Sequence, residues 1–179
     1  MIKEVNGHKV YLVDNAIQSV FPPTPKGFWN EMLPDIKVES ALILGLGAGT
    51  LAKLLLDKYG LIEITGVDNT QAMIQEAHNN LRPVRINTVL ADAFDYIQRI
   101  KGKWDFIGVD LYDGTNFPVK VLHQEFIQNV QNHLTKGGVA VFNIPNLEKL
   151  IKANAPRSRR KEFNLNLILS LNSAILRAN

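Results

Sequence analysis

The stretch Ala41-Leu42-Ile43-Leu44-Gly45-Leu46-Gly47-Ala48-Gly49-Thr50 decides the fold. Four apolar residues enter three alternating glycines, the pattern of a buried strand running into a tight turn. Thr50–Tyr59 then places Leu51, Leu54 and Leu55 at helical spacing, and Gly60 ends the helix. The same unit recurs downstream. Ile62 to Val67 stops at Asp68, Ile86 to Leu90 stops at Ala91-Asp92-Ala93, and Phe106 to Val109 stops at Asp110. Between these runs, Thr70–Leu81 (Met73, Ala77, Leu81) and Ala93–Ile100 (Phe94, Ile97) read as helices. Such alternation predicts an α/β fold with a doubly wound, mostly parallel sheet of the Rossmann-like type. Open sheets of this kind bind ligands at the carboxyl ends of their strands. Three strand ends carrying carboxylates and a fourth carrying glycines therefore converge on one crevice.

Upstream of this core, Lys9–Val13 and Ala16–Phe21 read as a hairpin turned at Asp14-Asn15. The segment Pro22-Pro23-Thr24-Pro25-Lys26-Gly27 excludes a helix interior or a central strand. It leads to a short amphipathic piece at Phe28–Leu33. We therefore expect a hairpin and linker over residues 1–36 and a nucleoside-binding domain over 37–179. Downstream, His123–Leu134 reads as a helix, and Lys136-Gly137-Gly138 as a turn into a strand Val139–Asn143. A brief helix Leu147–Ala153 precedes the basic run Arg157–Lys161. A strand in Phe163–Leu169, turned at Asn172-Ser173 into Ala174–Arg177, would close the sheet with an antiparallel pair.

The chain has 179 residues, 46% of them hydrophobic, enough for one full core. A formal charge of +3 is too small to imply a polyanion partner, and Arg157–Lys161 reads as a solvated loop rather than a nucleic-acid site. The absence of cysteine excludes disulfides and thiolate chemistry. His8, His78, His123 and His133 share no ligand spacing, so no metal site is expected. Neither a secretory segment nor an apolar run of membrane-spanning length is read, which makes a cytoplasmic protein the expectation.

Gly45-x-Gly47-x-Gly49 brings its third glycine one place earlier than the dinucleotide fingerprint. The first glycine suits a tight turn and the second a close approach of backbone to ligand. Asp68, about twenty residues on, stands where a carboxylate takes both ribose hydroxyls. Asp92 can accept from an adenine amino group while the Ala93 amide meets a ring nitrogen. Asp is also a preferred helix N-cap, and the two roles are compatible. A nicotinamide or flavin site and a plain helix–sheet packing turn are the alternatives. The glycine spacing and the acids at the third and fourth strand ends point instead to a mononucleoside.

Together with Asp110-Leu111-Tyr112-Asp113-Gly114, these residues resemble the polyamine aminopropyltransferases, the spermidine synthase family, whose core is the class I AdoMet-dependent methyltransferase fold. The resemblance begins at Val10–Gln18 and runs through Trp29-Asn30-Glu31-Met32 to Val141. It implies that Gln18, Asp68 and Asp92 hold the nucleoside of AdoMet or its decarboxylated form, that Asp110 and Asp113 face an amine acceptor across a loop at Gly114–Pro118, and that the protein is a homodimer. The departures also matter. Ala48 replaces an Asp that family synthases use to pair the donor's amine, and Ile43 stands where most methyltransferases of this fold place an acid. Trp29 and Asp35 replace an expected Tyr and His, and most of the family's N-terminal strand domain is missing.

Asp110 and Asp113 can attract a cationic amine beside a sulfonium and accept its proton. In a purely structural reading Asp113-Gly114 caps a turn. Tyr112 and Trp29 are candidates for an acceptor pocket. The expected activity is transfer from an adenosyl sulfonium to a small acceptor, methyl from AdoMet first and aminopropyl to a diamine second. A nucleoside-binding protein without chemistry is the rival of another class.

Overall fold

The computed structural model describes residues 1–112 and 114–144 in full, together with the backbone of strands at Ile168–Ser170 and Ser173–Arg177. Its first element was not anticipated. Strand β1 (Ile2–Val5) pairs with β2 (His8–Val13), which pairs with β3 (Ala16–Phe21), in a three-stranded antiparallel sheet. Asn6-Gly7 and Asp14-Asn15 make the two turns, all four at positive φ as tight hairpins demand. All four residues of β1 are exposed, so no alternation of buried and exposed residues marks it.

The second sheet is built on β4 (Ser40–Leu44), β5 (Glu63–Asp68), β6 (Asn87–Leu90), β7 (Trp104–Val109) and β8 (Leu134–Asn143), with β9 (Ile168–Ser170) and β10 (Ser173–Arg177) at one edge. The order is β6-β5-β4-β7-β8-β10-β9, parallel from β6 to β8, with β10 antiparallel to both neighbours. The chain moves outward from β4 through β5 to β6 and then returns to lay β7 on the other side of β4. That reversal opens a crevice at the carboxyl ends of β4 and β7.

Helices α1 (Thr50–Tyr59), α2 (Gln71–Leu81), α3 (Ala93–Arg99) and α4 (Gln124–Asn132) flank the sheet, with 3-10 turns at Phe28–Met32 and Val119–Leu122. Both faces of β4 are covered, which explains its unbroken apolar run. Ala41 and Ile43 pack with Trp29, Met32, Leu51, Leu55 and Phe106. Leu42 and Leu44 pack with Val67, Ile97, Val109, Phe126 and Phe142 on the opposite face.

Two expectations are corrected. Helix α4 ends at Asn132 rather than Leu134, with His133 as its cap. Lys136-Gly137-Gly138 does not end one element and begin another, because β8 runs from Leu134 through it. Trp104 pairs with Leu134 and Phe106 with Val139, so the glycines form an irregularity inside the strand. Asp105 holds that irregularity, accepting from Thr135 Oγ1 at 2.8 Å and from the Glu39 and Ser40 amides at 3.0 and 3.1 Å. The expected helix at Leu147–Ala153, the run Arg157–Lys161 and residue Asp113 lie outside the described residues. No helix among the described residues is long and apolar enough to cross a membrane.

Candidate functional site

Gly45 follows β4 directly with φ +90°, and a β-carbon there would stand 2.0 Å from the Asp110 carbonyl oxygen. Only glycine permits the two strand ends to lie so close. Gly47 has φ +54°, and its missing β-carbon makes room for Ser19 Oγ, which would lie 2.8 Å away. The turn is thus pressed between β7 and β3. Ser19 Oγ accepts the Ala48 amide at 3.0 Å and meets Thr50 Oγ1 at 3.0 Å. Thr50 Oγ1 in turn accepts the Val20 amide and donates to the Val20 carbonyl. Both hydroxyls are buried and paired, a polar staple between the N-terminal sheet and the glycine turn. Gly49, the third glycine, lies at φ +93° where α1 begins.

Asp68 ends β5 beside this turn. One carboxylate oxygen accepts the Gly47 amide at 2.9 Å and the other the Thr70 amide at 2.9 Å. Burial raises its pKa above the usual carboxylate value, against the pull of those two amides. Asp92 follows β6 and caps α3, Oδ1 accepting from the Phe94 and Asp95 amides at 2.8 and 3.1 Å. The capping role of Asp92 is therefore present in the structure. Ala93, the first residue of α3, is buried.

Asp110 lies immediately beyond β7. Its Oδ2 accepts the Trp29 indole N–H at 2.8 Å and its Oδ1 the Asn143 amide at 2.7 Å. Part of the residue stays accessible at the crevice, yet burial of the carboxyl dominates and raises its pKa. The two hydrogen bonds oppose that rise, and the Asp68 charge adds to it. Tyr112 is pushed up as well, by burial and by the Asp110 charge. Its ring meets Phe117 edge-on at 5.9 Å, giving the loop beyond β7 an apolar wall.

Gln18 projects from β3 and donates to the Gly114 carbonyl at 2.9 Å. The N-terminal sheet therefore reaches both sides of the crevice, the glycine turn through Ser19 and the β7 loop through Gln18. Tyr11 adds a third tie, donating to Glu76 at 2.7 Å and accepting from Asn80 at 3.0 Å on α2. Among the expected site residues, the structure gathers Gln18, the three glycines, Asp68, Asp92, Ala93 and Asp110 along one rim. It also adds the two partners of Asp110, one in a role that was not foreseen and one that was not foreseen at all. Trp29 was foreseen only as an acceptor-pocket or core aromatic, and it is both a core residue and a ligand of Asp110. Asn143 was not singled out at all. A shallow depression of about 670 Å³ at the opposite ends of β4 and β5, lined by Lys37, Glu39, Tyr59, Glu63 and Arg85, lies away from this chemistry.

The methyltransferase domain family matches residues 41–138, more than half of the chain. A probable polyamine aminopropyl transferase of Bifidobacterium longum is 36% identical over 106 residues, covering 59% of this chain and 24% of that protein. The polyamine aminopropyltransferase of Vibrio vulnificus is 33% identical over 122 residues, covering 64% of this chain and 40% of that protein. The chain thus spans between a quarter and two-fifths of these relatives' length. Two solved structures share the fold. A probable spermidine synthase from Corynebacterium glutamicum superposes with a TM-score of 0.66 at 17% identity, covering 79% of this chain and 58% of that one. Human methyltransferase-like protein 13, solved in complex with SAH, superposes with a TM-score of 0.62 at 22% identity, covering 84% and 76%. Strand order, glycine turn and family match agree: the chain belongs to the methyltransferase domain family and carries the class I AdoMet-dependent methyltransferase fold.

Proposed function

We propose that the crevice binds an S-adenosyl nucleoside and transfers a group from its sulfonium to a small nucleophile, a cationic amine before others. The observation that carries this reading is the meeting of the glycine turn, Asp68 and Asp110 at adjacent strand ends. Across the sheet, Asp92 and Ala93 receive the base, Asp68 the ribose hydroxyls, and the glycine turn the sulfur. Gln18 contributes to the nucleoside side, and Asp110 faces the acceptor, with Asp113 assigned to the acceptor from the sequence. Asp68 and Asp110 repel one another, and a sulfonium between them would relieve that repulsion.

Methyl transfer from AdoMet remains the first reading of the reaction. Ala48 is fully buried and Ile43 lies in the core, so neither position offers a carboxylate to the donor's tail. AdoMet's tail carries its own carboxylate beside its ammonium, whereas the decarboxylated tail is an uncompensated cation. Aminopropyl transfer is the second reading, supported by the names of the curated relatives. Calorimetric titration with methylthioadenosine, AdoMet, decarboxylated AdoMet and NAD tests both. Methylthioadenosine, which lacks the tail, should bind. AdoMet should bind more tightly than its decarboxylated form if methyl is transferred, and the reverse order selects aminopropyl transfer. Binding of NAD alone would overturn the reading. Binding without turnover over a broad amine panel would leave a nucleoside-binding protein. A second copy of the chain is the proposed partner, to be checked by sedimentation velocity.

A further inference from the structure

Asp110 is held by three elements far apart in sequence: its own strand β7, the 3-10 turn that carries Trp29, and the end of β8 that carries Asn143. We propose that Trp29 and Asn143 are positioning residues for Asp110, keeping Oδ2 as the unprotonated oxygen and leaving Oδ1, on the Asn143 side, to take the proton that an acceptor gives up. The inference rests on the reading of Asp110 as the acceptor-facing carboxylate. Its physical basis is the unequal chemistry of the two partners. An indole N–H only donates, so the oxygen it meets stays an acceptor in either protonation state. Trp29 is packed in the core at 7% exposure, so its ring has little freedom to leave. A side-chain amide has both a donor and an acceptor end. Asn143 donates to the carboxylate at 2.7 Å, and turning its amide presents the carbonyl to a newly formed O–H.

The proton step then balances. An N–H bond of the acceptor ammonium breaks and an O–H bond forms at Oδ1. The freed electron pair on nitrogen forms the N–C bond to the sulfonium-bound carbon as the C–S bond breaks, its electron pair leaving on sulfur as a neutral thioether. Among the described residues, the ionisable groups facing Asp110 are Asp68 from β5 and Tyr112 from its own loop. Tyr112 has its own pKa pushed up, which leaves Asp110 as the group ready to accept.

The test needs no nucleoside. The chain has two tryptophans, and Trp29→Phe assigns the two indole signals in an NMR spectrum. The Trp29 indole proton should titrate together with the Asp110 carboxyl carbon, and Asp110→Asn should abolish that titration. Removing either donor should move the Asp110 titration upward by about one pH unit, in Trp29→Phe and in Asn143→Leu alike. With an acceptor in hand, the acid limb of the kcat profile should move by the same amount while methylthioadenosine affinity holds. An indole signal indifferent to Asp110, or a carboxyl titration unmoved in both variants, overturns the proposal. Should Asn143→Leu fail to fold, Trp29→Phe alone decides. Failure of methylthioadenosine to bind would sink the proposed function and leave this clamp standing, so the two failures are separable.

Discussion

At Asp110 the site and the stability of the fold pull in opposite directions. Its raised pKa means that, between the ordinary carboxylate value and the raised one, the native state holds more protons than the unfolded chain. Stability from this group is therefore present at low pH and lost as pH rises through that window. Asp110→Asn removes the buried charge and can still accept from Trp29 and donate to a turned Asn143. It should raise the melting temperature at pH 7 by roughly 2–4 °C, a gain that shrinks as the pH falls through that window and is gone by about pH 4. The same variant should bind methylthioadenosine almost normally and lose turnover by about 10²–10⁴-fold. A melting temperature lowered at neutral pH would contradict the assignment of burial as the dominant influence. For Asp68→Ala, calorimetry should show nucleoside affinity down at least tenfold in a folded protein, since bonds to a charged acceptor contribute about 1.5–3 kcal/mol each. Part of that loss should come through Gly47, whose amide loses its acceptor. Unchanged affinity would remove Asp68 from the site. The acids were legible because each ends an apolar run. Their partners were not, since Trp29 lies 81 residues from Asp110 and Asn143 lies 33, with no local pattern linking them.

Among the elements, the parallel strands were readable because burial on both faces leaves continuous apolar runs. Strand β1 was not, because none of its side chains is buried, although Asn6-Gly7 carried the hairpin signal. The glycines in β8 suggested a chain reversal, but pairing with β7 continues on either side of them. The staple between β3 and the glycine turn was equally hidden, because Ser19 and Thr50 are unremarkable residues in sequence. Ser19→Ala leaves the buried Ala48 amide without its acceptor and takes a partner from Thr50. Urea denaturation should show a loss of about 1–3 kcal/mol, and an unchanged midpoint would mean that the staple contributes nothing. Asp92→Ser separates cap from ligand contact at the start of α3. Ser is itself a good N-cap, so stability should hold within about 0.5 kcal/mol, while nucleoside affinity falls because the carboxylate is gone. Full retention of affinity would reduce Asp92 to its capping role.

For the molecule as a whole, the order of the strands is also a measuring rod. Asp92 and Asp110 follow β6 and β7, which are three places apart in the sheet, with β5 and β4 between them. At about 4.8 Å per strand the two carboxyl groups stand on the order of 14 Å apart. Sites so distant should act independently, and a double-mutant cycle combining Asp92→Ser with Asp110→Asn should give a coupling energy below about 0.5 kcal/mol in methylthioadenosine binding. A larger value would mean that the rim moves as one piece. The spacing sets a minimum length for anything that engages both ends. On the proposed reading, a free base would reach one end and a free amine the other, and only an extended nucleoside would bridge the sheet. Donor choice and acceptor choice would then be written on different strands, so either could drift without redrafting the other.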